Sequence, residues 1–202
     1  MVEVRIYVDP KANDAVAEGV LEGINAYLKK EGLKPDYKPF KWEEKDALER
    51  QLLNQRGQID ADQYFQILSK EKTDIGNGKI NDKPHWDVII TSRDLKPKER
   101  NFVLGSFQGI ANKDGSTRED LASMVISTSR LKSNNELLNF TRGYIIGYHE
   151  ASHHKKDDHC DTRGCMHYHA LNGLDDLDYA ANIIIKHGKI PLCEIHIRDR
   201  GE

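Results

Sequence analysis

The chain has 202 residues, 38% hydrophobic and 31% charged, enough apolar content for one buried core inside a strongly polar shell. No apolar run nears the roughly 20 residues that span a bilayer, and the opening Met-Val-Glu-Val-Arg-Ile-Tyr-Val lacks the charged-then-apolar build of a secretory leader. A balance of 30 basic against 33 acidic residues excludes a nucleic-acid binder driven by phosphate contacts, so a cytoplasmic protein with neither nucleic-acid nor membrane partners is expected.

Val2, Val4, Ile6 and Val8 alternate with polar residues, the period of a strand. Asp9 then reads as the N-cap and Pro10 as the first residue of a helix that carries Val16, Val20, Ile24 and Leu28 and stops near Gly32. Residues 42 to about 72 are highly charged with helical spacing, in two pieces split near Gly57, and Asp60 with Gln63 resembles a capping box for the second piece. Residues 73–84 read as a loop. The apolar run Val88-Ile89-Ile90 predicts a buried strand. Phe102-Val103-Leu104 and Met124-Val125-Ile126 predict two more, joined by a polar loop that contains glycine. Ser133 and Glu136 form a capping box ahead of a long helix whose apolar face, Leu137, Leu138, Tyr144, Ile145 and Tyr148, runs toward His149. A last helix over 175–187 turns Leu177, Ala181, Ile184 and Ile185 inward and stops at Gly188. The expected fold class is α/β (α+β): a mixed twisted sheet with two or more helices, then a small metal-rich C-terminal part. The division falls at 1–153 and 154–202 within one domain overall.

Soft and imidazole donors crowd into that last part. Eight of the nine histidines lie from His149 to His196, and all three cysteines, Cys160, Cys165 and Cys193, lie there too. An odd number of cysteines argues against a disulfide framework and toward a metal. In His149-Glu150-Ala151-Ser152-His153, the two histidines at i and i+4 share one face of a helix and can meet one ion. His159 follows six residues later, far enough to return as a third ligand. Three neutral ligands leave the fourth zinc position open, the catalytic pattern, and Glu150 is placed as the general base. Asp157 or Asp158, or Asp175 or Asp176, are alternatives to His159. HExxH also arises by chance on solvated helix faces; the third histidine and the cysteines behind it weigh against chance. Cys160 and Cys165 with Cys193-x-x-His196 supply two close donor pairs, the build of a closed structural zinc site. His154, His167 and His169 are alternatives to His196, and three plainly buried thiols are the bland reading.

The run from His149 to His159, with Cys160-x4-Cys165, Met166 and the terminal Cys193-x-x-His196, resembles the archaemetzincins, a metzincin-type family of zinc metallopeptidases with the pattern HExxHxxGxxHC-x4-C-x-M then C-x2-C. The resemblance implies a metzincin-like fold with a long active-site helix and two zinc ions. The catalytic ion is on His149, His153 and His159 with Glu150 as base, and the structural ion is on Cys160, Cys165, Cys193 and His196. It also implies a peptide or protein substrate aligned by a strand around Phe102 to Gly105. Lys156 stands at the family's glycine, where a left-handed turn would cost a lysine about 1–2 kcal/mol. Met166 comes one position early, and His196 replaces a cysteine. Met166-His167-Tyr168 is further similar to the Met-turn of astacin-like and serralysin-like metzincins, which makes Tyr168 the candidate for stabilising an oxyanion; packing is its plain alternative. A metzincin scaffold that binds a peptide or protein, with structural zinc only, is the competing reading. Substrate identity and oligomeric state carry no signal.

Overall fold

The computed structural model of the chain describes residues 1–79, 82–99, 102–111, 117–155, 159–168 and 173–193. The alternation at the start makes β1 (Val2–Val8), with Val2 and Val4 buried on one face and Tyr7 on the other. Asp9 does not cap the next helix. Its carboxylate accepts from the backbone N–H of Lys11 and of Ser92, at 2.9 and 3.1 Å, and from the Ser92 hydroxyl. The cap is Asn13, whose Oδ1 accepts from the Val16 N–H at 3.0 Å and opens α1 (Asp14–Lys30). The helix stops before Gly32, at φ 71°, as expected.

β2 (Pro35–Pro39) and α2 (Glu43–Gln51) follow, then β3 (Ile59–Asp60) and α3 (Ala61–Gly76). Gly57 breaks the two charged helices, and Asp60 Oδ1 caps the second by accepting from the Gln63 N–H at 3.0 Å. α3 runs to Gly76 and so takes the first part of the expected loop. β4 (Trp86–Thr91) is buried along its whole length, and β5 (Leu95–Lys96) pairs with β3. The strand expected at Phe102-Val103-Leu104 lies further on. Val103 makes one isolated bridge to Leu95, and the strand proper is β6 (Gly105–Ala111), a hairpin partner of β7 (Thr117–Ser127). An edge strand buries one face at most, so Gly-Ser-Phe-Gln-Gly-Ile-Ala needs little apolar content to pair.

The capping of α4 (Glu136–Ser152) also differs from expectation. Asn135 Oδ1 accepts from the Leu138 N–H at 3.1 Å, whereas the Ser133 hydroxyl donates to Asn139 Oδ1 at 2.8 Å. A 3-10 turn, His153–Lys155, continues it. α5 (Leu174–His187) ends on left-handed Gly188, but Ile185 is exposed rather than inward. No helix among the described residues is long and apolar enough to cross a membrane.

The main sheet runs β2-β1-β4-β7-β6, with the first four strands parallel and β6 antiparallel at the edge. Residues of even number in β1 and β4, such as Val4, Val88 and Ile90, join α1 and α4 in the larger core. Tyr7, Ile89 and Val125 face the other way, onto Tyr64 and Leu68 of α3. Both faces are therefore covered, which explains the unbroken apolar run in β4. On the larger face, glycines bring two helix backbones into contact: a Cβ on Gly19 or Gly23 would lie 2.0 or 2.1 Å from the carbonyl oxygen of Phe140 or Tyr144, and one on Gly143 or Gly147 would lie 2.1 or 2.2 Å from that of Val16 or Val20. This glycine seam seats α4, and so His149 and Glu150, against the core.

Candidate metal centre

The last turn of α4 and the 3-10 turn after it carry His149, Glu150 and His153, and the chain returns with His159. The ligand nitrogens of His149, His153 and His159 lie within 4.8 Å of one another. His149 Nδ1 donates to the Met166 carbonyl at 2.7 Å, which leaves the Nε2 lone pair of the neutral ring facing His159 Nε2 at 3.3 Å. Zn–N bonds of about 2.0–2.1 Å at tetrahedral angles set ligand nitrogens roughly 3.3–3.4 Å apart. The pair therefore fits a shared ion. Burial, with the neighbouring His153 and His159, pushes His149 down to about 3, and burial with His159 pushes His153 down to about 4. Both rings are neutral at pH 7 and able to ligate. Glu150 is 7% exposed, and burial pushes its carboxyl up to about 8; a cation held by the imidazoles opposes that shift.

Of the competing carboxylates, Asp176 has another partner. Asp176 accepts from Arg163 Nε at 2.7 Å, and Asp175 is exposed. Asp157, Asp158 and Lys156 lie outside the described residues, as does His169.

The thiols of Cys160, Cys165 and Cys193 form a second group that could hold a metal ion. Burial raises Cys160 and pushes Cys165 up to about 12, a cost that a coordinated cation reverses by holding the thiolate. The Cys193 N–H already donates to Cys165 Sγ at 3.4 Å. His196, expected as the fourth ligand, lies outside the described residues. Of its alternatives, His154 packs against Trp86 with ring centroids 5.1 Å apart, and His167 Nδ1 is 3.2 Å from Ser152 Oγ. Tyr168 is half-buried against the core, and its backbone N–H donates to the Cys165 carbonyl at 3.0 Å.

No protein-family model matches the sequence, and no curated protein matches it. Solved structures do match in shape. An archaemetzincin from Methanopyrus kandleri superposes with a TM-score of 0.65 at 20% identity, covering 100% of this chain and 93% of that one. An archaemetzincin from Archaeoglobus fulgidus, complexed with malonate, gives 0.58 at 17% identity over 98% of each chain. The fold is the archaemetzincin fold. A zinc-dependent peptidase from Methanocorpusculum labreanum shares it, with a TM-score of 0.59 at 19% identity over 98% of this chain and 100% of that one.

In this archaemetzincin fold the two donor groups are joined by a short run of backbone. Met166, fully buried, gives its carbonyl to His149, while its N–H donates to the Pro191 carbonyl at 2.9 Å, two residues before Cys193. The Cys160 N–H donates to the His167 carbonyl at 2.9 Å. Sequence reading marked Met166 by its similarity to a Met-turn and missed its carbonyl, because a backbone acceptor leaves no signature in residue type. It also missed Ser152, whose hydroxyl donates to the His149 carbonyl at 2.6 Å and accepts from buried His167.

Proposed function

We propose that the chain is a zinc-dependent metallopeptidase that hydrolyses peptide bonds. In this reading His149, His153 and His159 hold a catalytic zinc, and Cys160, Cys165, Cys193 and His196 hold a structural one. The observation that carries the reading is the convergence of three imidazoles, of which His149 and His153 are kept neutral by their surroundings, with a buried carboxylate next in sequence to the first. When bound there, zinc polarises a carbonyl oxygen and acidifies water toward neutrality.

The residues divide the remaining work. The Met166 carbonyl holds the His149 ring in one tautomer and orientation. Glu150 accepts the proton of the attacking water and returns it to the leaving amine, and its buried setting favours that return. β6 aligns the substrate. Leu104 and Ser127 form a hydrogen-bonded pair, with the Ser127 N–H donating to the Leu104 carbonyl at 2.8 Å, so the N–H and C=O of Gly105, next along, face away from β7. No described strand occupies that edge, and an extended peptide can add to it. Tyr168 stabilises the oxyanion. The cysteine group closes the loop that carries His159, Met166 and Tyr168, which fixes the third ligand relative to α4.

The test is Glu150→Gln in the zinc-loaded protein against a peptide library. The wild type is expected to cleave and the variant to keep its zinc while losing cleavage. Turnover by the variant refutes the assignment of the base. A wild type that holds zinc and binds peptides without cutting them is a binding scaffold.

A further inference from the structure

Gly105 lies at the head of the edge strand and has no need of a left-handed backbone, since it is not among the residues of positive φ. Its lack of a side chain has a different use. A Cβ built on Gly105 would lie 2.8 Å from Glu150 Oε1, 2.9 Å from Cγ and 3.1 Å from Cδ. The carboxylate therefore occupies the space that any other residue at 105 would fill. Ile126, its partner across the strand pair, is fully buried, so β6 cannot yield by sliding over β7 without disturbing the core. The helix that carries Glu150 is seated against α1 by the glycine seam.

We propose that Gly105 is a positioning residue for the general base: the bare Cα of the edge strand sets where the Glu150 carboxylate sits relative to a peptide lying along β6. The inference rests on the peptidase reading for its catalytic meaning but on geometry for its substance. The atoms a methyl group would meet, Cγ, Cδ and Oε1, belong to the glutamate side chain and not to backbone. The strain of Gly105→Ala is thus relieved by moving the carboxylate, not by unfolding. Oε1 must retreat by about 0.6 Å to regain ordinary contact at 3.4 Å. Misplacement of about 1 Å is worth roughly 100-fold in rate.

The experiment compares Gly105→Ala with the wild type and with Gly76→Ala, a glycine at the end of α3. For Gly105→Ala, kcat is expected to fall about 10- to 100-fold with KM within about twofold, while zinc content and melting temperature match the wild type. Gly76→Ala should leave all four unchanged. A crystal structure of Gly105→Ala supplies the readout that needs no turnover, and a displaced carboxylate on an unchanged backbone is expected. A carboxylate that stays in place overturns the proposal, as does a loss of melting temperature that tracks the loss of rate. If the wild type cuts no peptide, the peptidase reading fails, and the crystallographic comparison still decides the role of Gly105.

Discussion

Replacing Gly147 by Ala probes the contact that seats the active-site helix. In an isolated helix the change is favourable by roughly 0.5–1 kcal/mol, because glycine carries excess backbone entropy into folding. In this protein a Cβ at Gly147 would lie 2.2 Å from the Val20 carbonyl oxygen and 2.9 Å from its carbonyl carbon and Cα. All three are backbone atoms of α1 and have no rotamer through which to retreat. Restoring ordinary contact at 3.4 Å requires the helices to part by about 1.2 Å. Such a gap loosens contacts around Val20, Ile24, Tyr27 and Tyr148, all in the larger core. Overpacking of this kind costs about 1–3 kcal/mol and occasionally more. With backbone as the obstacle, a net loss of about 2 kcal/mol is expected, or roughly 4–8 °C in melting temperature for a chain of this size.

The assay is a thermal melt followed by circular dichroism, with and without zinc, beside Gly76→Ala. At Gly76 the nearest atom to a Cβ is an Arg118 guanidinium nitrogen at 3.0 Å, which can swing away, so that variant should melt like the wild type. Combining Gly147→Ala with Gly143→Ala should cost less than the sum, since one separation of the helices makes room for both methyls. A rise in melting temperature for Gly147→Ala would mean that helix propensity outweighs the contact, and the seam would not hold α4 as described.

Other consequences are equally open to measurement. Asp87 is fully buried with Lys72 Nζ at 3.0 Å and Lys45 Nζ at 3.5 Å; burial opposes its ionisation, but the hydrogen bond from His85 and the two ammonium charges outweigh it and hold the carboxyl well below the usual carboxylate range. Its stabilising contribution is present above the unfolded value of about 4 and is lost as pH falls toward the folded one; melts from pH 7 to pH 3 should show an acid limb that Asp87→Asn shortens, with a loss of about 3–5 kcal/mol at pH 7, and an unchanged limb would refute this. Asp178→Ala removes the two carboxylate acceptors of Arg142, at 2.6 and 2.8 Å, and among the described residues leaves that guanidinium the Leu131 carbonyl; a loss of about 1–3 kcal/mol in urea unfolding is expected, and none would mean α5 is held by its apolar face alone. Elemental analysis should find two zinc ions per chain, one lost in Cys165→Ser and the other in His153→Ala; a single ion insensitive to His153→Ala would leave only the cysteine group binding.

The elements that residue order announces are those with a strong local cause. β1 and β4 follow from apolar alternation and an apolar run, and α1 and α5 end at Gly32 and Gly188 because both take positive φ. The candidate imidazoles were legible for the same reason: i and i+4 on a helix is a spacing that local geometry converts directly into proximity. β6 was not, because an edge strand half open to solvent and containing two glycines carries no hydrophobic period. The caps at Asn13 and Asn135 were misplaced to Asp9 and Ser133, since all three residue types cap well and only the partners each side chain meets decide which one is free to do so.

By itself, then, the order of residues determined a mixed α/β chain ending in two donor groups, one of imidazoles and one of thiols. The rest is nonlocal. That His159 closes on His149 across 3.3 Å, that Asp176 is taken by Arg163, and that a methionine carbonyl orients the first imidazole are settled by how residues 159–168 pack against α4 and α5. Four glycines became an interface only because α1 and α4, more than a hundred residues apart in the chain, cover the same face of the sheet. Side-chain type records what a residue can do; which partner it meets is set by packing, and packing has no period in the sequence.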